Sequence, residues 1–236
     1  YFKENLKNNI DFKIYKNKNK TSFETLVDLS NIGLKINEIS YNKDLKKKAI
    51  LNIKGLNNED QILLKSLIYT ENKNRIEINN LKFENYKISH LDSVEFDYLT
   101  KNSFKNKLFF KRINNDYELI GISYDAKDLI EDISESDTSK NFLDVFDNLN
   151  SKIKIKIRNV KLDQNNEIFN LNGNLHVKNN KIFDLEINSK FSENEKIYLK
   201  IKKESKNKVV TNFYSDRAKP FVKKYKFIKG FEEGKI

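Results

Sequence analysis

Residues Ser151 to Arg158 read Ser-Lys-Ile-Lys-Ile-Lys-Ile-Arg, an apolar residue at every second position with a cation between each pair. Side chains on a β-strand alternate between its two faces, so this patterning predicts a strand with one apolar and one wet face. The same alternation recurs in Val94-Glu95-Phe96-Asp97-Tyr98, in Leu175-His176-Val177, in Ile197-Tyr198-Leu199-Lys200-Ile201 and in Val209-Val210-Thr211-Asn212-Phe213. Together these runs predict one long hydrophobic surface, and the functional question is what that surface holds.

Composition limits the answers. Only 38% of the 236 residues are hydrophobic and the mean hydropathy is -0.73, so a thick two-layer core is hard to fill from this inventory. Cysteine is absent, which removes disulfides and thiolate metal sites and suits either redox compartment. Methionine is absent too and the chain opens on Tyr1; the expectation is an internal piece of a longer protein, with any signal peptide or membrane anchor outside it. The longest apolar run, Ile62 to Tyr69, is interrupted by Lys65 and falls far short of the ~20 residues that span a bilayer. A net charge of +11 invites a nucleic-acid reading. Yet arginine, whose planar fork suits phosphate, stands only at Arg75, Arg112, Arg158 and Arg217 among 45 cations. The lysines are spread through nearly every strand, as solvated outer faces would be, and no nucleic-acid partner is expected.

Turns are marked by asparagine, which tolerates the left-handed backbone that tight hairpins need: Asn114-Asn115, Asn165-Asn166, Asn179-Asn180 and Lys206-Asn207 each separate two alternating runs. Strands joined this way are antiparallel neighbours, so the fold class expected is mainly β: a long antiparallel meander of roughly fifteen strands forming a curled, groove-like sheet. Three parts follow. Residues 1–123 form the first part of the elongated sheet, 124–150 a helical insertion, and 151–236 the continuing sheet with a short helix near 216–226. Within the insertion one helix is expected near Ala126 to Ile133 and another over Lys140 to Leu149, with Phe142, Phe146 and Leu149 on one face; the pair should cover one end or edge of the sheet. The third helix should begin with Asp216 as its cap and hold Pro220 in its first turn.

Little in the chain suggests catalysis. His90 and His176 each lack a second ligand at metal-binding spacing, and acidic pairs such as Asp125 with Asp128, or Glu232 with Glu233, fall where capping and solvation explain them. The glycines Gly33, Gly55, Gly121, Gly173, Gly230 and Gly234 form no phosphate-binding loop; Gly121 and Gly173 sit inside strand patterns, where bulges or bends are expected. The reading is a protein that is not an enzyme, with no catalytic residue, metal or cofactor.

The segment Tyr117-Glu118-Leu119-Ile120-Gly121-Ile122-Ser123-Tyr124-Asp125-Ala126-Lys127-Asp128-Leu129-Ile130 resembles the strand-into-helix corner of the large AsmA-like periplasmic proteins of Gram-negative bacteria, the YhdP/TamB type. Further similarity lies in the alternating run Ile153 to Leu162, in Asn170-Leu171-Asn172-Gly173-Asn174-Leu175, in Ser215-Asp216-Arg217-Ala218, and in the closing stretch from Tyr225 to Gly234, which looks like the turn into the family's C-terminal region. The similarity covers about Asn114 to Ile236 and is architectural. It implies a periplasmic segment of an inner-membrane-anchored protein, reaching membranes through parts outside this segment. The partner it implies is phospholipid, moved toward the outer membrane along a hydrophobic β-groove. Lys and Asn stand where relatives often carry Arg and Gly, which leaves the subgroup open.

On this reading the lipid-facing side chains are Val94, Phe96, Tyr98, Ile153, Ile155, Ile157, Leu175, Val177, Ile197, Leu199 and Ile201, with the intervening lysines outside. A sheet that curls around acyl chains needs less protein hydrophobe than a sandwich, because lipid supplies half of the core. The competing expectation is a structural or adhesive β-sandwich or solenoid that closes its core with its own side chains.

Overall fold

The computed structural model describes residues 9–17, 20–36, 39–58, 61–129, 142–205 and 208–221. The chain is mainly β and builds one open sheet that does not close into a barrel. Its strands follow one another in space almost as in sequence: β1 (Ile10–Asn17), β2 (Lys20–Asp28), β5 (Ala49–Asn58), β6 (Gln61–Glu71), β7 (Asn74–Glu84), β9 (Ser93–Leu99), β10 (Lys105–Ile113), β11 (Asp116–Asp125), β12 (Ser151–Lys161), β13 (Glu167–Lys178), β14 (Lys181–Lys190), β15 (Lys196–Ser205) and β16 (Lys208–Ser215). The short β8 (Lys87–His90) adds only to β7, while β3 (Leu34–Ile36) and β4 (Tyr41–Lys43) pair with each other as a separate patch. Left-handed backbone at Asn72, Asn85, Asn114, Asn179 and Asn180 turns the hairpins.

The meander is not antiparallel throughout. β11 and β12 run parallel, from Tyr117 opposite Ile153 to Asp125 opposite Lys161. Residues 126–150 carry the chain from the end of β11 back to the level of its start, so β12 resumes in the same direction, which a tight turn cannot achieve. This connection is less helical than its spacing predicts. Among the described residues, 127–129 are helical and Phe142–Val145 form a 3-10 turn; residues 130–141 lie outside the description. The helix expected over Lys140 to Leu149 gives way to extended backbone: Phe146 bridges Ile88, Asp147 N donates to Ile88 O (2.9 Å), and Asn148 is left-handed. Pairing with β8 thus overrides the i, i+4 apolar spacing. The third helix begins at 219, with Pro220 in its first turn. Asp216 is used elsewhere, accepting from Lys196 N (2.9 Å) and the Tyr214 hydroxyl (2.6 Å); the continuation past 221 lies outside the described residues.

Excursions of the chain cover both margins of the apolar face. On one margin the segment carrying β3 and β4 lays Tyr41 edge-on against Tyr69 and Tyr98, with ring centroids 5.7 and 5.1 Å apart, over Ala49 and Ile76. The Tyr41 hydroxyl shares a hydrogen bond with that of Tyr69 (2.7 Å) and donates to buried Glu71. Burial pushes the phenols of Tyr41 and Tyr98 up, and that of Tyr69 up to about 12, so all three stay donors. The patch is fastened by Asn106, whose amide donates to Ile39 O (3.2 Å) and to the Tyr98 hydroxyl (2.8 Å) while its oxygen accepts from Asp125 N (2.7 Å). Buried Lys43 donates to the carbonyls of Ser30, Ile32 and Asp44, which keeps an ammonium satisfied away from water. Further along this margin Ala126 and Phe221 close over Leu108, Ile157, Val160 and Ile168.

On the opposite margin Leu143 and Leu149 cover Tyr117, Ile153 and Val177. Asn180 ties this cover down: its side-chain oxygen accepts from Leu149 N (2.5 Å) and its amide donates to Phe146 O (2.9 Å). The segment therefore caps strand ends in the middle of the sheet, whereas the sheet's edges are β1 and β16.

Gly121 shows how tightly the sheet is filled. A Cβ there would overlap Leu108 Cδ2 and lie 3.0 Å from Ile157 Cγ2, because both neighbours lean across the glycine. Its partner register slips here, with Leu108 opposite Gly121 but Lys107 opposite Ser123, which is the bulge expected from a glycine inside a strand. Gly121→Val should lower stability to urea by about 1–3 kcal/mol through overpacking, with no comparable loss in Ile122→Val on the exposed face.

Candidate functional site

Strand register gathers the apolar residues into rows. Partners in a β-ladder share a face, so the register can be followed from edge to edge. The central row starts at Phe12 and passes through Thr25, Ile53, Leu67 and Ile78 to Val94. It continues through Phe110, Leu119, Ile155, Gly173 and Ile187 to Leu199 and ends at Phe213. Every strand of the ordered path contributes, and only Thr25 and Gly173 are not large apolar residues. Of all these positions only Gly173 is buried; the rest keep part of their surface open to solvent. Ile187 leans into the space above Gly173, where a Cβ would lie 3.2 Å from its Cγ1. The result is an accessible apolar band, on the order of 60 Å across the strands at ~4.8 Å per spacing, lying between two covered margins.

The opposite face repeats this geometry with opposite chemistry. Lys13, Glu24, Lys54, Ser66, Asn79 and Ser93 form one continuous row, extended by Lys111, Glu118, Lys154, Asn174, Glu186, Lys200 and Asn212. Cross-strand ion pairs join Lys54 to Glu24 (3.1 Å), Lys111 to Glu118 (3.4 Å) and Lys200 to Glu186 (3.4 Å). Each exposed pair stabilises little, but together they spread the excess positive charge as a solvated surface. A cleft of about 650 Å³ opens on this face between rows of standing charged side chains, among them Asp116, Lys152, Glu118 and Lys154; backbone at Ile153 and Leu175 forms its floor. Its acids, Asp116, Glu118, Asp184 and Glu186, are matched in number by Lys152, Lys154, Lys200 and Lys202.

The expected lining residues divide in two. Val94, Ile155 and Leu199 lie in the band itself, while Phe96 falls in the row on one side and Leu175 and Ile201 in the row on the other; all six are partly exposed. Tyr98 and Val177 are fully enclosed, and Ile153, Ile157 and Ile197 are buried among the protein's own side chains. These five share the apolar face but form the covered margins. Residues outside the expected lining complete the band: Phe12, Ile53, Leu67, Ile78, Phe110, Leu119, Ile187 and Phe213, of which only Phe213 lies in one of the alternating runs first read as strands. Ile76-Glu77-Ile78 and Leu185-Glu186-Ile187 carry the alternation that would have found two of them.

Polar chemistry at the margins is structural. His90 accepts from the Arg112 guanidinium at Nδ1 and contacts Asp92 through Nε2 (2.7 Å), while Arg112 Nε donates to Asn114 O (2.7 Å). Asn80 donates to Asp92 (2.7 Å), and this bond with the His90 contact holds the Asp92 carboxyl below the usual range. Among the described residues no group of His, Asp and Glu could hold a metal ion, and no helix is long and apolar enough to cross a membrane.

No protein-family model, curated protein or solved structure matches this chain.

Two isoleucines on one strand separate band from margin. Ile157→Ala should cost about 2–4 kcal/mol in urea unfolding, as expected for a buried side chain, and Ile155→Ala less than about half of that. Equal losses would mean that the band is closed.

Proposed function

We propose that the protein is a non-enzymatic lipid-conduit segment of an AsmA-like protein, carrying phospholipid acyl chains along its apolar band between inner and outer membrane. The observation that supports this most is the accessible apolar row that runs without a charged residue from one edge of the sheet to the other. The sequence similarity over about Asn114 to Ile236 points the same way. Exposed apolar surface on this scale is unusual in a soluble domain and calls for an occupant.

The band's chemistry suits a mobile occupant. Moving an acyl chain from water onto apolar surface gains ~0.8 kcal/mol per buried methylene. Successive strands offer Ile, Leu, Val or Phe everywhere but at Thr25 and Gly173, so the gain is similar from step to step and no position acts as a deep trap. The headgroup would stay with water. A β-sandwich or solenoid, by contrast, needs a second layer along the whole sheet, and β3–β4 together with residues 142–150 supply cover only at the margins.

The test is photo-crosslinking in cells with the full-length protein. A photoreactive residue at position 155 should capture phospholipid, while the same probe at Lys154 or Lys156, on the opposite face, should capture little. Equal capture from both faces, or none in a folded protein, would overturn the proposal.

A further inference from the structure

β1 is an edge strand: it pairs with β2 on one side and with no described strand on the other. Its apolar residues stand open to solvent on the apolar face, with Ile10, Phe12 and Ile14 exposed by 60%, 55% and 56%. The far end of the band differs, because Phe213 packs edge-on against Phe221 with centroids 4.7 Å apart. An open edge with an apolar face would ordinarily be blunted by charge or covered; β1 shows instead a pattern that complements itself.

The sequence Ile10-Asp11-Phe12-Lys13-Ile14 is a palindrome in chemical character. Laid antiparallel against a second copy with Phe12 opposite Phe12, it sets Asp11 opposite the partner's Lys13, Lys13 opposite the partner's Asp11, and each Ile10 opposite an Ile14. Both faces match at once: Ile10, Phe12 and Ile14 lie on the apolar face with the central rows, and Asp11 and Lys13 on the polar face. The neighbouring registers that keep the faces in phase set Lys13 against Lys13 or Asp11 against Asp11, and like charges directly opposite destabilise a pair. A slip by one residue would turn apolar side chains to the polar face.

The backbone agrees with this register. Asp28 N donates to Asn9 O (2.9 Å), so by the alternation of antiparallel pairing Asn9, Asp11 and Lys13 turn their backbone groups toward β2. Ile10, Phe12 and Ile14 turn theirs to the open edge, and these are the residues the palindrome brings face to face. The other edge offers no such match, since β16 carries Lys208 but no acid among Lys208–Ser215.

We infer that two copies of this chain pair through β1, antiparallel about a two-fold axis normal to the sheet and centred on Phe12. The symmetric contact closes on itself as a dimer rather than a fibre. It keeps both apolar faces on one side, so the two bands become one continuous band, and it does not depend on what that band carries.

Sedimentation velocity over a concentration series tests the pairing. Wild type should show a reversible monomer–dimer equilibrium. Lys13→Asp or Asp11→Lys alone should weaken it about tenfold or more by opposing like charges twice, and the double swap Asp11→Lys with Lys13→Asp should restore it. Because the chain has no native cysteine, Phe12→Cys should oxidise to a covalent dimer, its opposed Cα atoms at about the 5.5 Å of a hydrogen-bonded pair. Ile14→Cys, which faces Ile10, should not. Monomer alone up to about 100 μM, species larger than a dimer, or a dimer indifferent to charge reversal would overturn the inference, as would equal crosslinking at both positions.

Discussion

Everything in this protein depends on keeping the two faces of the sheet in phase. Side chains alternate with a period of two, so an uncompensated one-residue slip between any two strands would turn all later apolar residues to the solvent face. The chain does contain irregularities, yet they are compensated locally. Between β5 and β6 the register shifts at Lys54 and Gly55, and β6 partners β7 across the left-handed Asn80. Left-handed Asn170 interrupts β13 where its register with β14 shifts. Asparagine absorbs these extra residues at low steric cost, and the Phe12–Phe213 row passes through unbroken.

The covered margins explain how so polar a chain folds. Large aromatic side chains close one margin over a short two-stranded patch, and hydrogen bonds through Asn106 and Lys43 satisfy the polar atoms enclosed with them. The opposite margin is closed by a few aliphatic residues and one asparagine clamp. Burial is thus concentrated at the strand ends, while the centre of the sheet stays accessible. The apolar inventory suffices for the two rims and for a single layer between them.

Much of this architecture was legible in the sequence, because alternation and asparagine turns are local signals. Ile153-Lys154-Ile155 reveals its two faces without any partner, and Asn179-Asn180 announces its hairpin. Four features were not legible for physical reasons. Alternation carries no strand direction, so the parallel pairing of β11 and β12 could not be read from it. The run Ile62 to Tyr69 lost its period where the strand bulges. Burial of Tyr98 depends on Tyr41 and Ile39, far away in the chain, so a period-two reading could not separate rim from band. The spacing of Phe146 and Leu149 suggested a helix, but the free backbone of Ile88 drew Phe146 into extended pairing.

The parallel junction has a consequence for how the protein reaches its native state. Most neighbouring strands meet through short hairpin turns, so their contacts form early and locally. β11 and β12 meet only after the chain closes a long loop, joining residues such as Asp116 and Lys152 that lie 36 positions apart. Loop closure costs about 0.6 kcal/mol for each doubling of length, or about 2 kcal/mol more here than at a hairpin. Contacts of this separation slow folding. The meanders before and after the junction are therefore the natural units of assembly, and their docking is the late step that makes one sheet of two.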